Sequence, residues 1–307
     1  HSNWPALAAI QEPFDACLFV GDLVDYGTDP VPCVNWVRKH ASVAVRGNHD
    51  HAVAQRIPVK KDNGLHRLAA ATRPLHWKLL SPSQMKYLVR LPVTRRVTLD
   101  GKRFYLVHAT PRDPFDEYLR DDKAEWSERL QAIDADFVLV GHTHLPYCLP
   151  LDRGTVINPG SVGQPRDGDP RCAYAIIENG RVEMRRVTYD ITATLKQMRN
   201  SGIDEDTLAL AEAVLKSGGR MESADLERWT KHVNALPETR DPTADQSSID
   251  PSPLMTEPSV NDTEVLASLA TNRADDQTEE FVLPPKPDDL ADTVTLELPP
   301  AKIPHRE

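Results

Sequence analysis

The sequence predicts an α/β protein built on one mixed sheet, or on two sheets packed together, with helices outside. Three observations point there. Residues 1–190 alternate short, apolar, β-branched runs with segments of helical spacing. Two pairs of runs turn at Asp100-Gly101 and Asn179-Gly180, the strongest short-range signals for a hairpin. Strand and helix alternate in the first half while later strands follow one another directly, an order that suits a mixed sheet or a packed pair of sheets.

In chain order, a helix over Trp4–Gln11 precedes a strand at Ala16–Val20, and a helix over Pro32–His40 precedes a strand at Ser42–Val45. Helical spacing over Leu65–Leu80 and Ser83–Val89 leads into the hairpin Arg95–Leu99 and Arg103–Val107. A helix over Lys123–Ala132 is followed by strands at Asp136–Val140, Tyr147–Leu151 and Thr155–Ile157, then by the hairpin Ala173–Glu178 and Arg181–Val187. Most of these strands are bounded by Gly, Pro, Asn or Asp. Residues 51–100 are expected to form a helical flap over the site. Residues 191–236 read as a helical extension of two or three short helices. Asp204 to Leu215 closes on Gly218-Gly219, a natural stop. Ser223 caps a further helix to about Leu236, before Pro237.

Charge divides the chain at that point. The 307 residues carry 36 Lys+Arg and 46 Asp+Glu, a formal charge of −10. Residues 237–307 hold 16 acidic and 5 basic side chains, which leaves 30 acidic and 31 basic in residues 1–236. The last segment has no Gly, Tyr or Trp and holds 11 of the 26 prolines, so it cannot offset its ordering entropy and is predicted to be a disordered acidic tail. Its Pro284-Pro285-Lys286-Pro287 reads as solvated linker, and the tail is a candidate contact for a protein partner. The neutral remainder has no basic surplus and hence no dedicated nucleic-acid surface. The longest apolar runs, such as Cys17–Val20 and Phe137–Val140, are far short of the roughly 20 residues a membrane span requires. Four cysteines without C-x-x-C spacing are expected as reduced thiols of a cytoplasmic protein. The chain opens at His1 rather than Met, so a leader cannot be judged from it.

Five apolar runs end in candidate metal ligands. Cys17–Val20 runs into Gly21-Asp22-Leu23-Val24-Asp25, and Ser42–Val45 into Arg46-Gly47-Asn48-His49-Asp50. Phe104–Val107 delivers His108, Phe137–Val140 delivers Gly141-His142-Thr143-His144, and Val156-Ile157 delivers Asn158 through Ser161. Ligands of open α/β sheets bind beyond the carboxyl ends of the strands, so these groups gather at one rim. Singly, each Asp is an ordinary turn or cap residue, and His40, His66 and His76 are ordinary surface or packed residues. Jointly, polar groups in this order need partners, and they would partner one another.

The order resembles the calcineurin-like metallophosphoesterases, whose pattern is Asp-x-His, Gly-Asp-x-x-Asp, Gly-Asn-His-Asp/Glu, His, Gly-His-x-His. The match comprises His1, Gly21-Asp22 with Asp25, Gly47-Asn48-His49-Asp50, His108 and Gly141-His142-Thr143-His144, over residues 1 to about 190. The family's first aspartate falls two positions ahead of His1, a departure that reads as truncation, with the first strand missing as well. The resemblance implies a four-layer sandwich of two mixed sheets flanked by helices. It also implies a site of two divalent transition-metal ions, manganese foremost, with Fe, Zn, Ni or Co as alternatives. Asp22 would bridge both ions. His1 and His144 would hold one together with the aspartate ahead of His1, and Asn48, His108 and His142 the other. His49 would give a proton to the leaving oxygen or stabilise its developing charge as a cation, with Asp25 fixing its tautomer, while Asp50 orients the loop. Independently, a donor set of imidazole, carboxylate and amide oxygen without thiolate suits those metals. Two ions roughly 3.5–4 Å apart hold a hydroxide for attack and stabilise both ends of an in-line displacement.

Arg46, Arg112 and Arg166 lie beside the motifs and are candidate clamps for a small phosphate ester, mono- or diester. Asn158 through Arg166 resembles a loop of the bacterial phosphodiesterase-like branch. Protein-phosphatase relatives carry an arginine where this chain has Tyr26, and a glutamate where it has Asp50, which argues against a Ser/Thr-type protein phosphatase. A nuclease is disfavoured by the neutral charge. A non-catalytic scaffold gains weight only if the upstream aspartate is absent.

Overall fold

The computed structural model describes residues 1–59, 64–221 and 293–295. Its principal sheet contains β3 (Thr94–Leu99), β4 (Lys102–Val107), β5 (Phe137–Leu139), β6 (Tyr147–Leu151), β7 (Gly154–Asn158) and β10 (Thr293–Thr295), in the order β10-β3-β4-β5-β7-β6. The sheet is mixed: β4, β5 and β7 run parallel, while β3 and β6 pair antiparallel with their neighbours β4 and β7. Facing it are the parallel pair β1 (Leu18–Phe19) with β2 (Val43–Ala44) and the antiparallel hairpin of β8 (Cys172–Glu178) with β9 (Arg181–Val187).

The alternation of side chains along β4 explains the layering. Phe104 and Leu106 point into a core with Val97, Phe137, Leu139 and Ile157, against which Leu18, Val20, Val43, Ala175 and Ile177 pack. Tyr105 and Val107 point the other way, toward Trp126 and Leu130. Trp126, on α6 (Lys123–Arg129), is wholly buried and donates its indole N–H to the Arg120 carbonyl at 2.7 Å. Behind β1 and β2, Val34 and Val37 of α2 (Pro30–His40), Val53 of α3 (Asn48–Ala54) and Leu88 of α5 (Pro82–Arg90) form a further core with Phe19 and Ala44. Helix, sheet, sheet and helix thus succeed one another.

The extension is part of this packing. Leu195 and Met198 of α7 (Ile191–Asn200) and Leu208, Ala211 and Val214 of α8 (Glu205–Ser217) share a core with Leu68 and Ala69 of α4 (Leu65–Leu79) and with Tyr26. Asp204 caps α8 by accepting from Thr207 N, and Gly218 ends it in the left-handed region at φ 60°. The helix expected from Ser223 lies outside the described residues, as does the tail's expected disorder, apart from the three residues of β10 beside β3.

Several boundaries differ from the sequence reading. Helix α1 covers Trp4–Ala8 and α6 ends at Arg129, both shorter than expected, whereas α2 starts earlier, with Pro30 in its first turn where a missing N–H does no harm. Helix α3 has no counterpart among the expected elements. Gly47 offers no capping side chain, but the Asp50 carboxylate at the third helical position accepts from Gly47 N at 3.0 Å. Within the stretch expected as a helical flap, α3, α4 and α5 pack their apolar faces into the two helical cores, and α4 brings Arg73 and His76 to Asp25. Among the described residues, no helix is long and apolar enough to cross a membrane.

Candidate metal centre

The turn after β1 places Asp22, and unusual backbone places it. Asp22, Asp25, Tyr26, His142 and His144 all have φ between 60° and 66°, a left-handed conformation costing about 1 kcal/mol or more per non-glycine residue. Such strain persists only where surroundings impose it. Here Asp50, fully buried, accepts from Asp22 N and Leu23 N at 2.8 Å each as well as from Gly47 N. Burial, then the Asp22 charge, pushes the Asp50 carboxyl up to about 6. Asp50 therefore ties the first two ligand loops together, as the sequence suggests, and belongs to neither ligand group.

Those loops touch so closely that two glycines are required. A Cβ on Gly47 would lie 2.5 Å from Asp22 N, and one on Gly21 would lie 2.6 Å from Gly47 N and 2.7 Å from the His108 Nδ1. Gly47→Ala is accordingly expected to displace Asp22 and lower bound metal by at least half at equal metal concentration, measured by elemental analysis after dialysis. Retention of full metal content would show that the loops can separate without harm.

Two groups of ligand atoms meet at Asp22: His1, Asp22 and His144, and Asp22, His108 and His142, each with its atoms within 4.8 Å of one another. The histidines are held in one tautomer. His1 Nδ1 donates to Val24 O at 3.0 Å, His108 Nδ1 to Val20 O at 2.7 Å and His144 Nδ1 to Gln164 O at 2.6 Å. A carbonyl only accepts, so each Nδ1 carries a proton, and Nε2 is the ring atom left to ligate. His1 Nε2 and His144 Nε2 nevertheless stand 2.9 Å apart, and His108 Nε2 lies 3.1 Å from Asp22 Oδ2. Two ring nitrogens that close need a cation between them, a proton or a metal ion. Asn48 Oδ1, the amide ligand expected from sequence, is buried with no hydrogen-bond partner among the described residues. The residues present therefore fit divalent ions.

Charge agrees. Burial raises the Asp22 carboxyl, but His108 and His49 outweigh it and hold Asp22 well below the usual carboxylate range. Burial, then the His108 charge, brings His142 down to about 4, and burial with Arg166 lowers His144, so both rings are neutral and able to ligate. Cys17, Cys33, Cys148 and Cys172 are free thiols and none belongs to either group. Asn158, fully buried, braces the histidine loop from β7 by donating to Gly141 O at 2.6 Å and to Thr143 Oγ1 at 3.0 Å.

His49 stands beside the ligands at the start of α3. Its backbone N donates to Asp22 Oδ1 at 3.0 Å and its Nδ1 meets Asp25 Oδ2 at 2.7 Å. Two residues that sequence reasoning missed hold Asp25. Arg73 donates from Nε to Oδ2 at 3.0 Å and from Nη2 to the same oxygen at 2.5 Å. His76 accepts from Asp25 N at 3.1 Å and donates its Nε2 proton to Gly27 O at 2.9 Å. Burial brings His76 down to about 4, so it is a neutral packed ring. Burial raises the Asp25 carboxyl, but His49 and then Arg73 keep it below the ordinary range.

The three arginines differ. Arg46 donates to Val89 O at 3.3 Å, at the end of α5, and Arg112 pairs with Glu117. Arg166 donates to Gln164 Oε1 at 3.1 Å and lies 3.4 Å from the Tyr26 hydroxyl, with its guanidinium 5.9 Å from that ring's centre. Tyr26 in turn packs at 4.6 Å from both the His1 and His49 rings, a role its position after Asp25 could have suggested.

A two-sheet α/β sandwich with Asp, Asn and His gathered at one rim defines a metallophosphoesterase. The chain belongs to the calcineurin-like phosphoesterase superfamily, whose domain profile matches residues 1–180. It is 34% identical to a metallophosphoesterase of Sphaerobacter thermophilus, whose structure superimposes with a TM-score of 0.58 over 71% of this chain and 95% of that one. A hypothetical protein of Pyrococcus horikoshii OT3, 19% identical, has the same fold with a TM-score of 0.61, over 72% of this chain and 96% of its own. An uncharacterized protein of Methanocaldococcus jannaschii is 29% identical over 67% of this chain and 91% of its own length. The phosphodiesterase YfcE of Escherichia coli is 30% identical over 143 residues, 46% of this chain and 54% of that protein. The chain is a hydrolase by family, and the family implies divalent metal ions.

Proposed function

We propose that this protein is a dinuclear metallophosphoesterase that hydrolyses a small phosphate ester, with a phosphodiester as the leading class. The observation that carries the reading is Asp22, the one carboxylate common to two groups of histidines. His1, Asp22 and His144 would hold one ion, and Asp22, Asn48, His108 and His142 the other, with manganese foremost and Fe, Zn, Ni or Co as alternatives. Ions bound there supply Lewis-acid polarisation of the phosphoryl oxygens and lower the pKa of water. The chain's own groups do the rest. His49, its Nδ1 engaged by Asp25, directs Nε2 as the proton donor toward the leaving oxygen. Arg166, beside Tyr26 and His144, is the arginine best placed to fork onto a phosphate, whereas Arg46 and Arg112 are engaged elsewhere. The match to a relative named a phosphodiesterase supports the diester class.

A Ser/Thr-type protein phosphatase is the weaker reading, because Tyr26 stands where those relatives carry a phosphate-binding arginine. The deciding experiment compares bis-p-nitrophenyl phosphate, p-nitrophenyl phosphate and a phosphoserine peptide, with and without added Mn, Zn, Ni and Co. Metal-dependent release of nitrophenolate with an intact phosphopeptide is expected. Hydrolysis of the phosphopeptide ahead of both esters would favour the phosphatase, and two bound metal equivalents without turnover of any substrate would refute the proposal.

A further inference from the structure

We propose that Arg73 is a positioning residue which, through the Asp25 carboxylate, fixes the imidazole of His49 for proton donation. The inference rests on the role given to His49 above. Asp25 is fully buried and Arg73 is 7% exposed, so neither is a surface group that happens to pair. One oxygen, Asp25 Oδ2, takes the His49 Nδ1 at 2.7 Å together with Arg73 Nε at 3.0 Å and Nη2 at 2.5 Å. Arg73 Nε also lies 3.3 Å from Oδ1, so the planar guanidinium engages both oxygens.

Two physical needs make that arrangement more than packing. A carboxylate held only by one imidazole can rotate about its Cβ–Cγ bond, and the imidazole then swings with it. A planar guanidinium donating through two nitrogens fixes the carboxylate plane. A wholly buried carboxylate also needs a permanent cation beside it. Arg73 meets both needs.

Arg73 is itself anchored. Its Nη1 donates to Ile57 O at 2.9 Å, and its helix is tied to α8 by Arg67, which donates to Thr207 Oγ1 and Asp204 Oδ1 at 2.9 Å each. Three residues farther along the helix, His76 holds Asp25 N, so α4 grips both the backbone and the side chain of Asp25. A chain of direct contacts therefore runs from α8 through α4 and Asp25 to His49.

The test is a double-mutant cycle on the metal-loaded protein, with Arg73→Met, Arg73→Lys, His49→Ala and the His49→Ala/Arg73→Met pair assayed on an alkyl phosphate ester, whose alkoxide leaving group needs the proton. Arg73→Met is expected to lower kcat roughly 10-fold or more with KM within about twofold, since the group it positions acts in proton transfer. In the His49→Ala background the same change should cost less than about twofold, because coupled residues are not additive. Arg73→Lys keeps the cation and should recover about half of the loss on a logarithmic scale. Nitrogen-15 NMR of the His49 ring reads the same positioning without any turnover. The Nδ1–H signal of the Asp25 bond is expected in wild type and in Arg73→Lys, and should broaden or vanish in Arg73→Met. Equal losses from Arg73→Met in both backgrounds, or an unchanged His49 signal in a folded Arg73→Met protein, would overturn the proposal. Should Arg73→Met fail to fold, Arg73→Lys carries the cycle: a loss of about threefold in kcat that disappears in the His49→Ala background supports the proposal, and a loss of equal size in both backgrounds overturns it. A preserved cycle of NMR effects in a protein that hydrolyses no ester would condemn the phosphoesterase reading and leave the positioning intact.

Discussion

Asp22→Asn is expected to lower turnover at least ~100-fold, about 2.7 kcal/mol in the barrier, and to lower metal content with it. The substitution is nearly isosteric, and the amide oxygen it introduces could still accept from His49 N as Asp22 Oδ1 does at 3.0 Å. What it removes is the negative charge that both groups of histidines share. Each group would then offer two neutral imidazoles and an amide, a much weaker site for a hard divalent ion. Asp22 is 6% exposed, so solvent cannot replace the missing charge. The measurement is metal stoichiometry beside kcat on a nitrophenyl ester. Both values near wild type would mean that Asp22 bridges nothing and that the two groups are fortuitous neighbours.

That carboxylate was legible in the sequence because of its context rather than its type. Asp22, Asn48, His108, His142 and Asn158 each follow a short apolar run that forms a strand or the end of one, and parallel strands deliver their carboxyl ends to one rim. The layers were legible for the same reason, since β4 and β5 bury both faces and read as continuous apolar segments. Helix α3 was hidden because its capping is done by Asp50 from inside the helix, on a Gly-Asn-His-Asp segment of poor helix formers. Arg73 and His76 were hidden because they lie 48 and 51 residues from Asp25, on a helix that carries Pro74 in its interior, where arginine ordinarily faces water. His76 reads as a packed histidine and is one; the sequence could not say that it packs on the backbone of Asp25. β10 escaped because three β-branched residues in an acidic tail carry no signal of the strand they join. Arg46 and Arg112 stand out by adjacency to motifs, and adjacency along the chain does not set where a long side chain points: one reaches Val89 O and the other Glu117.

His49→Ala separates catalysis from metal binding. Its ring belongs to neither ligand group, and its Nδ1 is taken by Asp25, so truncation should leave two metal equivalents in place. Turnover is nevertheless expected to fall by roughly 10²–10⁴, the range for losing a positioned general acid. The loss should depend on the leaving group. Nitrophenolate departs readily as an anion and gains little from a proton, whereas an alkoxide needs one as the phosphorus–oxygen bond breaks. His49→Ala should therefore cost least on nitrophenyl esters and most on alkyl esters, so that a plot of log kcat against leaving-group pKa steepens in the variant. The helix argues for the same division of labour: Asn48 and His49 are its first two residues, one with an orphaned amide oxygen and the other bonded to Asp25. Adjacent side chains on a helix diverge by about 100°, so one turns to the metal while the other turns to Asp25. A variant that loses metal along with activity would make His49 a ligand, and an equal loss across all leaving groups would leave it a purely structural partner of Asp25.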